Sequence, residues 1–220
     1  MTNSNTSADA RERLIQAGID IFAEYGFSAT TTRMLADKAQ VNLSAIPYYF
    51  RSKEGLYNAT VGHIADVLAA HLTPFLDRLE TETARGFAPE TARMLLQEGL
   101  STMVTVMCGD PGTMRFSQII LREQMAPTAA FDQIYPKVME RILSAFTTLI
   151  AVITGETDPR QCSLQAILLI GQVMVFRAGR ATVVRRIGME GYTAREIAEI
   201  QELVVSRAMA ALDFMATRQA

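Results

Sequence analysis

Apolar residues recur at steps of three and four in this chain, and that spacing makes helices its building elements. In "ADARERLIQAGIDIFAEYGF", Leu14, Ala17, Ile21, Phe22 and Tyr25 fall on one helical face. Near the other end, Ile197, Ile200, Val204, Ala208, Ala211, Leu212 and Met215 do the same. Breakers are few, with 13 Gly and 7 Pro among 220 residues, and helix-favouring Ala, Leu, Ile and Met are abundant. At 49% hydrophobic residues the chain can bury a core, and an all-α fold is expected.

The polar start, residues 1–8, reads as a disordered tail. Asp9, with Glu12 three residues on, is expected to cap a first helix over 10–25, which Gly26 stops. Thr30 or Thr31 caps a short helix over 32–39 that turns Leu35, Ala36 and Ala39 inward. After the tight link "QVN", Asn42 is expected to cap a second short helix opening at Leu43. Two short helices joined by three or four residues form a helix-turn-helix, whose second helix can lie in a major groove. Pro47 would be the fifth residue of that helix, where its missing N–H and its ring crowd the Leu43 carbonyl. In a long helix interior this costs about 3 kcal/mol; a two-turn helix avoids much of it by tightening or kinking.

Beyond this domain, residues 9–57, a long fourth helix is expected over 53–79, bent at Pro74. "RGFAPE" is a linker, and helices follow over 89–107, 112–124, 128–154, 161–187 and 193–216. Residues 58–220 thus form a second, larger helical domain.

Charge and chemistry exclude several functions. The net charge is −2, and residues 28–57 hold four basic side chains against two acidic, so any basic surface is local. Cys108 and Cys162 suggest no disulfide framework. The start lacks a signal peptide, and the apolar run 164–176 is too short to span a bilayer, so a cytoplasmic protein with no membrane contact is expected. There is no Gly-rich phosphate loop and no His/Cys cluster, and His63 and His71 lie eight apart. No enzyme, metal or cofactor is expected.

The run Gly26, Phe27, Ala29, Thr30, Thr31, Arg33, Leu35, Ala36, Ala39, Val41, Asn42, then Tyr49, Phe50, Ser52, Lys53, Glu54, Leu56 and Tyr57 resembles the DNA-binding domain of the TetR family. Farther on, "ILREQMAPTAAFDQIY" and "LLIGQVMVFRAGRATVVRRIG" are similar to its CecR-type subgroup, repressors linked to drug-efflux and membrane-transport genes. Two positions depart from the family pattern. Gln40 stands where a turn glycine is usual, so the turn is strained or differently shaped, and Pro47 stands where a tyrosine is common.

The resemblance implies a homodimeric, ligand-responsive regulator of a palindromic operator, most simply a repressor. Leu43, Ser44 and Ala45 are the base-facing candidates: the first and last can touch a thymine methyl, and the Ser44 hydroxyl can donate to several acceptors. Thr30, Thr31, Arg33, Asn42, Pro47, Tyr48, Tyr49 and Lys53 are the other DNA-side candidates, mostly for phosphates, while Tyr49 suits core or DNA equally. Phe50 is expected in the core. Met103, Met107, Gln118, Arg122, Met125 and Phe176 are candidates for the wall of a small-molecule effector site. The helices 161–187 and 193–216 carry the implied dimer interface, the first through Leu164, Ile167, Leu168, Gly171, Val175, Ala178 and Val183. Two rivals remain: a helical enzyme or lipid-binding protein, and a helix-turn-helix used for protein contacts.

Overall fold

The computed structural model describes residues 3–109 and 111–219, with side chains for 9–109 and 113–218. Among the described residues every regular element is helical. The first elements are α1 (Asn3–Ala29), α2 (Thr32–Ala39), α3 (Ala45–Phe50) and α4 (Lys53–Arg85). Next come α5 (Pro89–Val104), which widens into a π-turn at Thr105–Gly109, and α6 (Pro111–Met125). The short α7 (Phe131–Ile134) runs through a second π-turn, Tyr135–Met139, into α8 (Glu140–Thr154). The chain ends with α9 (Pro159–Ala178), α10 (Arg180–Ile187) and α11 (Ala194–Gln219).

Two compact units divide the chain. One is Met1–Ala69 with Met114–Val138; the other is Ala70–Thr113 with Met139–Ala220. The expected boundary at residue 57 therefore moves, and 114–138 joins the N-terminal unit. The cause lies in contacts of that segment: Tyr57 bonds Glu123, Lys137 pairs with Asp66 at 2.5 Å, and Gln133 lies against Gly62.

In the N-terminal unit Leu14, Phe22, Leu35, Ile46, Leu56 and Ile64 are fully buried. Each such side chain contributes about 1.5–3 kcal/mol by leaving water. Residues 3–8, expected as a tail, continue α1, and Met1 and Thr2 lie outside the described residues. Asp9 is therefore no cap; it pairs with Arg13 at 3.8 Å. The helix turns at Gly26, whose φ of 74° is open to glycine, and ends at Ala29.

The turn between α2 and α3 takes the strained shape. Gln40 has φ 53° and ψ 48°, and its N–H bonds back to Ala36 and Asp37 while Val41 N–H reaches the Ala36 carbonyl. A side chain in left-handed geometry costs about 1–2 kcal/mol, partly offset by glycine's freer unfolded chain. Gln40→Gly is expected to raise stability by about 0.5–1 kcal/mol in urea unfolding, and a loss of stability would show the turn unstrained.

Helix α3 begins later than expected, at Ala45, with Ser44 as its flanking residue. Asn42 does not cap it directly. Its Oδ1 accepts from Ser44 N–H at 3.0 Å and Ser44 Oγ at 2.9 Å, and Ala45 N–H bonds the Asn42 carbonyl. Pro47 is thus the third helical residue, where the N–H has no helical partner in any sequence. The proline costs far less than an interior position would.

Helix α4 passes Pro74 and continues to Arg85, beyond the expected end at 79. In the C-terminal unit α5, α8, α9 and α11 pack around Leu95, Leu96, Leu100, Phe146, Leu149 and Ile150. The expected helix over 161–187 is broken at Gly179 into α9 and α10. Within α11, Ile200, Val204, Ala208 and Leu212 are buried in their own unit, so that stripe is core rather than dimer surface. Its exposed large apolar residues are Leu203 and Phe214. On α9 the expected stripe does face outward, with Leu164, Ile167, Leu168, Gly171, Val175 and Ala178 all exposed. The helix is 20 residues long with a window of mean hydropathy 1.3, so length alone does not bar it from a bilayer.

Candidate nucleic-acid interface

Burial sorts the helix-turn-helix into two faces. Ile46 and Phe50, four apart, are buried; Leu43, Ser44, Pro47 and Tyr48 are exposed, and the i,i+3 and i,i+4 steps among them put them on one side. Tyr48 is 77% exposed and Leu43 46%. Ala45 and Tyr49 are half-buried, the Tyr49 ring meeting Tyr48 edge-on with centroids 4.7 Å apart. On α2, Thr31 is exposed at the N-cap, accepting from Met34 N–H at 3.2 Å, and Arg33 is exposed two residues on. Asn42 and Arg51 are exposed at the two ends of the reading segment.

Two expected phosphate ligands sit elsewhere. Thr30 is 1% exposed and donates its hydroxyl to the Gly26 carbonyl at 2.6 Å. Lys53 donates to the carbonyls of Phe27 at 2.9 Å and Thr30 at 2.8 Å, with its ammonium 4.4 Å from the centre of the Phe27 ring. Carbonyls at a helix end lack helical partners, and here they take up donors of the Lys53 ammonium. Lys53 therefore holds the link between α1 and α2 in place. Phe27 in turn packs on Tyr57 at 5.2 Å, and Tyr57 on Phe22 at 4.9 Å.

The residues expected to wall an effector site are divided between the two units. Met103, Met107 and Phe176 belong to the packed core of the C-terminal unit. Arg122, Gln118 and Met125 lie in the N-terminal unit, and Met125 is 86% exposed. Arg122 donates to the carbonyls of Phe22 at 2.5 Å, Ala23 at 2.8 Å and Glu24 at 3.3 Å, satisfying the last turn of α1 before Gly26. With Gln118 it borders a polar cleft of about 460 Å³ that also takes in Asp20, Glu24 and Arg115. Asp20 there pairs with Lys38 at 3.2 Å and with Arg115. A second cleft, about 520 Å³, lies in the C-terminal unit between α4 and α8, bordered by Leu76, Leu79, Arg141 and Ala145.

Two residues outside the sequence-predicted site brace the N-terminal unit. Glu123, 2% exposed, accepts from Tyr57 Oη at 2.6 Å and from Thr128 N–H at 3.0 Å. Burial first, and then the bond to this carboxylate, push the Tyr57 phenol well above its usual range. The second is Gly55, whose Cα lies against the Phe50 carbonyl. A glycine three residues into a helix, where alanine is preferred, was the available signal.

Comparison with known proteins agrees with this geometry. Residues 92–215 match the family described as HTH-type transcriptional dual regulator CecR, C-terminal domain, and residues 14–60 match bacterial regulatory proteins, tetR family. The chain is 34% identical over 197 residues to the HTH-type transcriptional dual regulator CecR of Shigella flexneri, covering 89% of this chain and 87% of that one. It is 30% identical over 103 residues to the HTH-type transcriptional regulator RutR of Escherichia coli K12, covering 41% and 48% of the two chains. In fold it resembles HlyIIR, a hemolysin II transcriptional regulator, with a TM-score of 0.59 at 19% identity over 93% of this chain and 97% of that one. A TetR-like transcriptional regulator from Rhodococcus sp. RHA1 superposes with a TM-score of 0.60 at 19% identity, covering 91% and 96%. A helix-turn-helix with an exposed second helix, a family match over more than half its length and a 34% identical relative make this chain a member of the TetR family of DNA-binding, non-enzymatic transcriptional regulators.

Proposed function

We propose that the protein is a homodimeric repressor that leaves a palindromic operator when a small hydrophobic molecule binds its C-terminal unit. The observation that carries this reading is the solvent-facing set Leu43, Ser44, Pro47 and Tyr48 on the second helix of the helix-turn-helix and the turn before it, where a major groove is met. Thr31, Arg33, Asn42 and Tyr49 supply phosphate contacts around it, and Lys53 keeps the helices in register. The exposed apolar face of α9, with Gly171 open to a close neighbour, supports a two-fold interface between copies. Two recognition helices then meet half-sites about 34–36 Å apart. The effector acts by binding one arrangement of the dimer better than the other, and only that difference in affinity moves the equilibrium. Transport or efflux genes are the targets suggested by the CecR-type resemblance. The relative named a dual regulator supports a second reading, in which the same operator contact also activates.

The test is selection of a binding duplex from a random pool, followed by mobility-shift titration over a range of salt. Arg33 and Arg51 are exposed basic side chains of the reader, so a dimer engages about four phosphates through them. The logarithm of affinity should then fall with the logarithm of salt with a slope of about −4. A flat response, or no duplex recovered, excludes the operator reading.

A further inference from the structure

The reading face has a definite chemistry. Of its four exposed side chains only Ser44 is able to hydrogen-bond through a short, fixed group; Leu43 and Pro47 offer hydrocarbon and Tyr48 mostly ring. A serine hydroxyl ordinarily serves as donor or acceptor, and so discriminates weakly between bases. Here its proton is committed: Ser44 Oγ donates to Asn42 Oδ1 at 2.9 Å, and the same Oδ1 also accepts from Ser44 N–H at 3.0 Å, which fixes the pair. What Ser44 turns to the outside is oxygen lone pairs alone.

Resting on the operator reading above, we infer that each half-site is read through thymine 5-methyl groups and one exocyclic amino group: Leu43, Pro47 and Tyr48 pack the methyls, and Ser44 Oγ accepts from adenine N6 or cytosine N4. In the major groove only thymine presents a methyl, and only adenine and cytosine present amino donors. Guanine O6 and N7, and thymine O4, are acceptors and would face the Ser44 lone pairs without a proton between them. Ala45, named from the sequence as a methyl contact, is half-buried, and the exposed Pro47, which follows it by two, takes that part. The proline ring adds no donor and cannot swing away, so the surface it presents is rigid.

The experiment uses the full-length protein and a duplex that it selects from a random pool. Each half-site thymine is replaced in turn by deoxyuridine, which removes the 5-methyl group and nothing else. Affinity should fall about three- to fourfold for every contacted methyl. For the position under Leu43, Leu43→Ala should bind thymine and uracil equally. Ser44→Ala should lose about fivefold in its preference for the amino-bearing base at one position, and Ser44→Thr should restore it. Salt-sensitive binding that is indifferent to every deoxyuridine, or a Ser44→Ala variant with unchanged base preference, overturns this inference and leaves the operator reading standing. Failure to retard any duplex instead overturns the operator reading.

Discussion

Replacing Gly55 by alanine should lower the melting temperature by about 6–12 °C, the equivalent of about 3 kcal/mol in a chain of this size. Helix propensity alone predicts the opposite sign, since alanine is favoured over glycine in a helix by about 1 kcal/mol. Close approach decides the outcome. A Cβ on Gly55 would stand 2.0 Å from the Phe50 carbonyl oxygen and 3.1 Å from its carbon, both backbone atoms with no rotamer to escape into. The chain reaches this approach through a sharp reversal. Arg51 has φ 68°, and Ser52 then opens α4, accepting from Gly55 N–H through Oγ at 3.0 Å and from Leu56 N–H through its carbonyl. Relieving the clash means moving the end of α3, which carries the proposed reading face, away from the start of α4. Operator affinity should therefore fall along with stability. Thermal unfolding followed by circular dichroism checks the first effect, and a melting temperature equal to or above that of the parent would show that the reversal has room to spare.

That reversal marks the limit of what the sequence made legible. The helical period named most of the helices, because one buried face repeats over several turns and single substitutions do not hide it. Periodicity also put Leu164, Ile167, Leu168, Gly171 and Val175 of α9 on one side, and they are exposed together. The same pattern in α11 marks a core stripe, since an apolar face reads alike whether its neighbour is within the unit or outside it. Boundaries went astray where single hydrogen bonds decide them. Asn42 is as good a helix cap in sequence as it is an Asx-turn residue, and two bonds to Ser44 settle it as the latter, delaying α3 to Ala45 and placing Pro47 in the first turn. The family resemblance points Lys53 to a phosphate and Arg122 to an effector. Both instead satisfy carbonyls on either side of the Gly26 turn near the end of α1, across separations of 23 or more residues that no local pattern reveals.

Glu123→Ala should cost about 3 kcal/mol, and the loss should depend on Tyr57. Glu123 is enclosed, and its carboxylate accepts from the Tyr57 phenol at 2.6 Å and from both the N–H and the hydroxyl of Thr128 at 3.0 Å. Truncation to alanine removes charge-assisted bonds of about 1.5–3 kcal/mol from three donors; the Tyr57 hydroxyl stays enclosed, whereas Thr128 is exposed and water recovers much of its share. Simple cavity formation predicts a similar loss for this substitution, so the magnitude alone does not separate the two causes. The double variant does. Tyr57→Phe keeps the ring that packs on Phe22 and Phe27 and removes only the hydroxyl, at a cost of about 1–2 kcal/mol. If the hydrogen bond carries the effect, Tyr57→Phe in the Glu123→Ala background should cost almost nothing. The two losses would then fall short of additive by about 1 kcal/mol or more, beyond the few tenths expected of independent sites. Urea unfolding of the four proteins measures that term directly. Additive losses would reduce Glu123 to a filler of space. A clear coupling would make the α4 to α6 bond the reason that residues 114–138 fold with the DNA-reading unit.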